Sequence, residues 1–517
     1  MRQGNRSMSG FRVLMGVCLW LVGGTGVGLQ QRCLSQESRP NFILMMGDDH
    51  GWEETGYNGH PHVLTPSLDE MAAKGLKFER FYAAHPNCSP TRASFLTGRH
   101  PNRMGTFAPG WSIRPEEITL AHLLQRSGYR CGHFGKWHVG AVKAESPVNP
   151  GAMGFSEWLS HDNFFEMNPF LSRNGGPPEQ FLGESSEILI EQTIDFIERV
   201  RGDDQPFMAV VWFASPHEPY SGLPEDLAHY DHLPELYSDR IVSLTSNETG
   251  RKVQRPLGQV LRERYAEITA MDRAIGHLRE YLHRVGLSDN TCLFYCGDNG
   301  TSSDAVLASP LRGKKGDIYE GGSLVPGLIE WPAKITSPRS TQFRASTSDL
   351  MPTIAAIIDR ALPERPVDGI SLLPLISGQE INRPAPLPFW IFPYSARAES
   401  TMEPYIDPSL QVGTTPLVKL MGGRATRDFI NYRFDTITDR DYTGPRALID
   451  GDFKLVIRED SSGTEIVELF DLSTDIAEQD NLAASKPELT QQLTEQLSLW
   501  QIEVMESLLG LDYVAGD

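Results

Sequence analysis

Several short runs of this 517-residue chain place residue types together that could act on an anion. Gly47-Asp48-Asp49-His50 sets two carboxylates side by side, and Gly297-Asp298-Asn299-Gly300 adds a carboxylate and a carboxamide. Adjacent carboxylates are costly unless a cation neutralises them. Asp48-Asp49 taken alone fits a solvated acidic turn equally well. With Asp298 and Asn299 added, the oxygen-only donors suit a hard divalent cation such as Ca²⁺, whereas zinc would call for His or Cys. Cys88-Ser89-Pro90-Thr91-Arg92 reads as a turn entering a short helix. There a cysteine meets the positive end of the backbone dipole and free N–H groups that favour an anion, with Arg92 one helical turn on. A lone cysteine is more often a small buried hydrophobe. Lys136 and His138, then Ser215-Pro216-His217, and finally Lys314-Lys315 supply further cations and imidazoles.

The elements that must position these groups follow from pattern. Residues 41–46, 207–213 and 291–296 are continuous apolar runs, as expected of central strands buried on both faces. Each ends in one of the polar motifs, and open α/β sheets gather ligands at the carboxyl ends of their strands. Thr65-Pro66 opens a helix closed by Gly75, and Thr119 caps another closed by Gly128. Residues 76–82 and 129–134 read as strands. Beyond the second, Lys136 and His138 alternate, so both face one side if the extended conformation persists. Residues 141–180 read as loop, with Phe164-Phe165 beside His161 and Asp162 either walling a pocket or packing as an ordinary loop. Ile188, Ile194 and Ile197 form a helical stripe. Residues 221–258 read as polar and loop-rich, and a long helix spans 261–284 with Gly286 as its stop. Pro384, Pro386 and Pro388 mark a join. A hairpin turning at Asp450-Gly451-Asp452, a strand at 466–470 and an amphipathic helix at 486–508 follow. The expected fold class is α/β, a large mixed, mostly parallel sheet flanked by helices. A smaller C-terminal α+β domain carries a short antiparallel sheet and a terminal helix. The domain boundaries are 38–383 and 384–517. Residues 396–440 match no pattern.

Apolar content is 40 %, charged content 22 % and net charge −20. That surface repels nucleic acid and anionic lipid, so an anionic substrate needs a local cationic pocket. Residues 1–30 read as a secretory signal: Arg2, Arg6 and Arg12, an apolar stretch at 11–21, then small residues. The stretch is short for a membrane span, so no stable insertion is expected. The mature chain is expected in a secreted, periplasmic or other exported compartment. Of six cysteines, Cys18 leaves with the signal. Cys292 and Cys296 stand ~13 Å apart on one strand, too far to pair. Asn247-Glu248-Thr249 matches a glycosylation site.

Cys88-x-Pro90-x-Arg92 followed by Leu96-Thr97-Gly98-Arg99 resembles the signature of the sulfatase family, formylglycine-dependent enzymes of the alkaline-phosphatase-like superfamily. Gly135-Lys136-Trp137-His138-Val139-Gly140 and the His217 segment resemble further family motifs, in the family's order. So do Leu311-Arg312-Gly313-Lys314-Lys315-Gly316 with Tyr319-Glu320-Gly321-Gly322, and Glu468-Leu469-Phe470-Asp471-Leu472. The spacing from Asp48 to Thr65-Pro66-Ser67-Leu68-Asp69 looks like N-acetylgalactosamine-6-sulfatases and arylsulfatases. The resemblance implies that a formylglycine-generating enzyme oxidises Cys88 to formylglycine before folding. It implies Ca²⁺, with Mg²⁺ the alternative, held by Asp48, Asp49, Asp298 and Asn299 with the converted Cys88. One hydroxyl of the formylglycine gem-diol would attack sulfur and the other would collapse to expel sulfate. Arg92 and Lys136 would support gem-diol and sulfate. His138 would deprotonate the second hydroxyl, and His217 and Lys315 would bind sulfate and help protonate the leaving oxygen. Lys315 holds the family's lysine position, with Lys314 its neighbour. The implied substrate is a sulfated carbohydrate, attacked from its end, or another small sulfate ester. Two other classes fit: a phosphonate or phosphate ester hydrolase of the same superfamily, or a non-catalytic binding protein with Cys88 unmodified. The sequence does not fix an oligomeric state.

Overall fold

The structure, a computed structural model, describes residues 39–203, 205–246, 251–307, 309–394, 401–417 and 427–513. The expected signal segment and the glycosylation sequence at Asn247 lie outside the described residues.

An eleven-stranded sheet organises residues 41–346. Its strands are β1 (Asn41–Gly47), β2 (Leu76–Tyr82), β3 (Arg130–Lys136), β4 (Glu157–His161), β5 (Phe170–Arg173), β6 (Pro178–Gln180), β7 (Phe207–Trp212), β10 (Thr291–Gly297), β11 (Leu324–Val325), β12 (Gly327–Glu330) and β13 (Arg339–Ser346). A separate hairpin, β8 (Ile241–Thr245) with β9 (Lys252–Pro256), lies outside it. The order is β11-β2-β12-β10-β1-β7-β3-β4-β5-β6, with β13 parallel to β2. The centre, β10-β1-β7-β3-β4, is parallel throughout, and β5, β6, β11 and β12 pair antiparallel at the two sides. The sheet is therefore mixed around a parallel core.

β1 shows why this core forms. All seven of its residues are buried. Phe42, Leu44 and Met46 enter the apolar core on one face, and Ile43 and Met45 the core on the other. Strict alternation of large apolar side chains thus joins two helix layers through one strand. The helix Leu257–Arg284 covers one face with Met271, Ile275 and Leu278, and the helix Ser185–Arg201 lies beside it with Leu189, Phe196 and Ile197. The helix Cys88–Thr97 enters the opposite core through Phe95 and Leu96.

A four-stranded antiparallel sheet of β14 (Leu387–Trp390), β15 (Arg446–Asp450), β16 (Phe453–Glu459) and β17 (Glu465–Asp471) forms the C-terminal layer, backed by the helix Pro487–Leu508. Its hairpin turns at Gly451-Asp452, because Asp450 pairs with Phe453. Lys454, fully buried, reaches Glu320 and Glu478 at 2.9 Å each, so an ion cluster ties β16 to the Glu320 segment beside the large sheet.

Three expectations are corrected. Residues 141–180 hold β4, β5 and β6, short strands whose signal is diluted by the glycines and prolines of the turns between them. The polar segment 221–258 contains two short helices and the β8–β9 hairpin. Thr65 precedes its helix as expected, but its hydroxyl accepts from Gly56 N (2.8 Å) and donates to Asp69 (3.0 Å), so it makes no cap to that helix.

Candidate active site

The carboxyl ends of β1, β7 and β10 are stitched together by backbone: Asp48 N donates to Ser215 O, and Asp298 N to Gly47 O, each at 3.0 Å. Asp49 N donates to Asp298 Oδ1 at 2.9 Å. The apolar runs thus deliver Asp48, Asp49, Asp298 and Asn299 to one point. Gly300 allows the closest approach there. A Cβ on it would lie 1.8 Å from Gly321 O, and its N–H donates to Gly322 O at 2.9 Å, which draws the Glu320-Gly321-Gly322 segment against the site.

Cys88 is the first residue of its helix, with Asn87 ahead of it. Its Sγ faces Asp49 Oδ1 at 3.8 Å. Burial, and then the Asp298 carboxylate, push its thiol well above the ordinary cysteine range, so in this environment the unmodified group stays a thiol. The helix dipole anticipated from sequence is outweighed.

Every carboxylate has a cation. Arg92 Nη2 donates to Asp298 Oδ2 at 2.7 Å and stands 3.5 Å from Asp48 Oδ1. Lys136 Nζ meets Asp48 Oδ2 at 2.5 Å, and Lys315 Nζ meets the two oxygens of Asp49 at 2.6 and 2.8 Å. Arg92 also donates to Lys136 O at 3.2 Å and lies over the Trp212 ring, so β7 backs the guanidinium. Burial opposes ionisation of Asp48, yet Lys136, His217 and Arg92 hold its carboxyl far below the usual range. Burial and the neighbouring Asp48 raise Asp298 to about 7 against the pull of Arg92. Lys314 is exposed and only its backbone engages, with Asp317, so Lys315 is the lysine that reaches the site.

The two imidazoles differ in setting. His138 is buried, and burial followed by the nearby Lys136 keeps it neutral. It does not reach the site by strand alternation. β3 ends at Lys136, and His138 has φ +59°, so a left-handed turn replaces the extended step expected from sequence. The Ser89 hydroxyl donates to His138 O at 2.6 Å and holds that turn over the Cys88 helix. His217 Nε2 is 3.8 Å from Asp49 Oδ2, its ring stacks on Phe164 at 5.1 Å, and burial lowers it to about 4. Phe164 thus stands at the site, as one of the two readings of its loop allowed. Side chains of Lys315 and His217 keep 20 % and 14 % exposure, while Asp48, Arg92, Lys136, Asp298 and Asn299 are fully buried. The pocket therefore opens on the Lys315–His217 side.

Arg264 has no motif in the sequence. It is fully buried on the long helix and donates bidentately to Glu54 at 2.7 and 2.6 Å. It also donates to Asp49 O and Pro216 O, each at 2.6 Å. It thereby fixes Asp49, whose φ of +63° costs about 1 kcal/mol for a residue with a Cβ, and the segment leading to His217. No local signal could have revealed it, because its partners lie more than 40 residues away.

A divalent cation fits these residues. Ligand atoms of Asp48, Asp49, Cys88 and Asp298 lie within 4.8 Å of one another. Asp48 Oδ1 and Asn299 Oδ1 are buried oxygens with no hydrogen-bond donor. Such acceptors are rare in native interiors without a compensating cation or water, and the carboxylate and amide oxygens match a hard ion.

Strand-end carboxylates, interleaved cations and a helix-borne Cys88 define a hydrolase site for ester anions. Residues 40–359 match the sulfatase family model, more than half of the chain. Arylsulfatase A of Bos taurus is 32 % identical over 375 residues, covering 67 % of this chain and 69 % of that protein. N-acetylgalactosamine-6-sulfatase of Mus musculus is 30 % identical over 388 residues, covering 67 % of this chain and 68 % of that protein. The crystal structure of Ps i-CgsB in complex with k-i-k-neocarrahexaose shares the fold, with a TM-score of 0.70 at 20 % identity over 92 % of this chain and 98 % of that chain. The chain belongs to the sulfatase family. It is a sulfuric ester hydrolase that cleaves sulfate esters. No described helix is long and apolar enough to cross a membrane.

Proposed function

We propose that the protein is an exported carbohydrate sulfatase that acts from the chain end through formylglycine at residue 88. Residues 38–383 form its catalytic domain and 384–517 its C-terminal subdomain. The signal at 1–30 is removed, and a formylglycine-generating enzyme acts during maturation. Asp48, Asp49, Asp298 and Asn299 hold Ca²⁺, with the converted residue 88 beside them. The ion supplies positive charge to the sulfate oxygens and to the nucleophilic oxygen. The gem-diol stands where the Cys88 thiol faces Asp49. Arg92 and Lys136 orient it and the sulfate from the closed end of the pocket. One hydroxyl forms the bond to sulfur as the bond to the leaving alcohol breaks. His217 and Lys315 line the open side and direct a proton to the departing oxygen. Neutral His138, turned over residue 88, takes the proton of the second hydroxyl as the aldehyde re-forms and sulfate leaves.

The observation that carries this reading is the partition of the cations. Arg92 and Lys136 are sealed in, whereas Lys315 and His217 stand at the mouth, where the leaving group must lie. Relatives named for N-acetylgalactosamine-6-sulfate and for ulvan support a sugar substrate. The test is turnover of 4-nitrophenyl sulfate, phosphate and phosphonate esters beside sulfated mono- and oligosaccharides. The reading expects sulfate to be preferred and terminal sugar sulfates to be released. Equal or better turnover of the phosphonate would favour the superfamily alternative, and release from internal positions of an oligosaccharide would contradict action from the end.

A further inference from the structure

The segment that matched no sequence pattern, 396–440, is partly described, and its described parts build the wall beside Cys88. Asp162, at the end of β4, accepts from Thr414 N at 2.7 Å and from Thr415 N and Oγ1 at 2.6 Å each, and also from Val142 N at 2.8 Å. This ties residues 414–415 to the loop after His138. Further on, Ile430 N donates to Gly110 O at 3.1 Å and Ser112 N to Ile430 O at 2.8 Å, so residues 427–432 are zipped to the 110–112 loop. That loop is held to the start of the catalytic helix, because Gly110 N donates to Ser89 Oγ at 3.1 Å. Phe429 lies edge-on to the His138 ring at 6.1 Å.

This lattice fixes Arg427 at the site. Gly110 has φ +92°, and a Cβ there would sit 3.4 Å from Arg427 Nε, so the guanidinium stem lies directly over that glycine. Arg427 remains exposed to solvent. Burial lowers the Arg427 pKa against the pull of Cys88 and Tyr394, and its charge disfavours protonation of His138. Among the described residues no carboxylate pairs with it, and the adjacent Asp428 instead accepts from Gly413 N at 3.3 Å. Arg92, Lys136 and Lys315 are each committed to a site carboxylate. Arg427 is not, in a chain of net charge −20. Tyr394, 42 % exposed, packs on Trp111 at 5.3 Å beside it, an aromatic surface suited to a sugar ring.

We propose that Arg427 is a specificity-determining residue that binds a second anionic group of the substrate, a carboxylate or a further sulfate on the sugar, next to the ester being cleaved. A guanidinium is matched in geometry to either group. The proposal rests on the carbohydrate sulfatase reading above.

The experiment compares wild type, Arg427→Gln and Arg427→Lys. Each is assayed on 4-nitrophenyl sulfate, on a monosulfated neutral monosaccharide, on a disulfated monosaccharide and on a monosulfated disaccharide carrying a uronate. Sugars that are not turned over are read as competitive inhibitors of aryl sulfate hydrolysis. The expected result is a rise in KM or Ki for at least one doubly charged sugar that is tenfold or more above the rise for the singly charged compounds. The change should fall mainly on KM and be partly recovered by lysine. Which doubly charged sugar responds separates carboxylate from sulfate. An equal loss on all compounds, or no loss on either doubly charged sugar, overturns the proposal. Absence of sulfate release from every one of these compounds by the wild type would instead overturn the hydrolase reading on which it rests.

Discussion

Two walls of one pocket are built by opposite means. On the strand-end wall every cation is neutralised: Arg92 by Asp298, Lys136 by Asp48, Lys315 by Asp49. On the C-terminal wall, the Asp162 carboxylate holds residues 414–415 and backbone hydrogen bonds hold 427–432, and among the described residues no carboxylate pairs with Arg427. Buried charge must be paired to be tolerated, and pairing fixes geometry. An open cation costs little where solvent reaches it and stays free for a ligand. The first wall therefore suits chemistry common to sulfate esters, and the second suits discrimination among them.

Substitutions on the first wall should consequently damage all substrates alike. Cys88→Ala removes the proposed nucleophile and should lower kcat by at least ~10³-fold on aryl and sugar sulfates together. A loss confined to sugars would break the division. Lys315→Ala should cost about 10²- to 10³-fold in kcat/KM, while Lys314→Ala, exposed and outside the site, should change it less than about twofold. Comparable losses for both lysines would remove the distinction drawn between them. Arg264→Met leaves Glu54 buried without its partner and frees the Asp49 carbonyl. It should destabilise the fold by about 3–5 kcal/mol in urea titration, with kcat reduced on every substrate. Stripping divalent cations with EGTA should abolish turnover and lower the melting temperature, and Ca²⁺ should restore both. Restoration by Mg²⁺ alone would change the assigned ion.

The smallest effect lies away from both walls. Burial lowers His100 to about 3, whereas its unfolded value is 6.5. Between those values the unfolded chain holds a proton that the folded protein does not, so stability falls as pH drops from 6.5 towards 3. The slope is at most about 1.4 kcal/mol per pH unit for this group. Asp368, held low by Arg103 against burial, adds stability above 3.8 that is lost as pH falls through and below that value, in the same direction. Urea midpoints measured from pH 7 to 5 should decline, and His100→Gln should flatten the decline.

The legible part of this molecule was the part whose signals are local. Apolar runs ending in Asp48-Asp49 and Asp298-Asn299 declare central strands and their chemical ends together, and Cys88 begins a helix where the sequence reads as a turn entering one. His138 was expected at the site but through the wrong geometry, since alternation cannot reveal a left-handed turn. Strands β4 to β6 were hidden because each is at most five residues long and flanked by turns. Arg264 and Arg427 were invisible for a different reason. Their partners are brought near only by the tertiary fold, and neither belongs to a recognised motif, although Arg264 lies on the expected long helix.

The most direct measurement is the mass of the tryptic peptide spanning residues 81–92, taken from catalytically active protein made by its native host. An aldehyde at position 88 is the predicted result, and the fraction converted should track specific activity across preparations. An intact cysteine at position 88 in fully active protein would contradict the account, because the two walls would then enclose a different nucleophile.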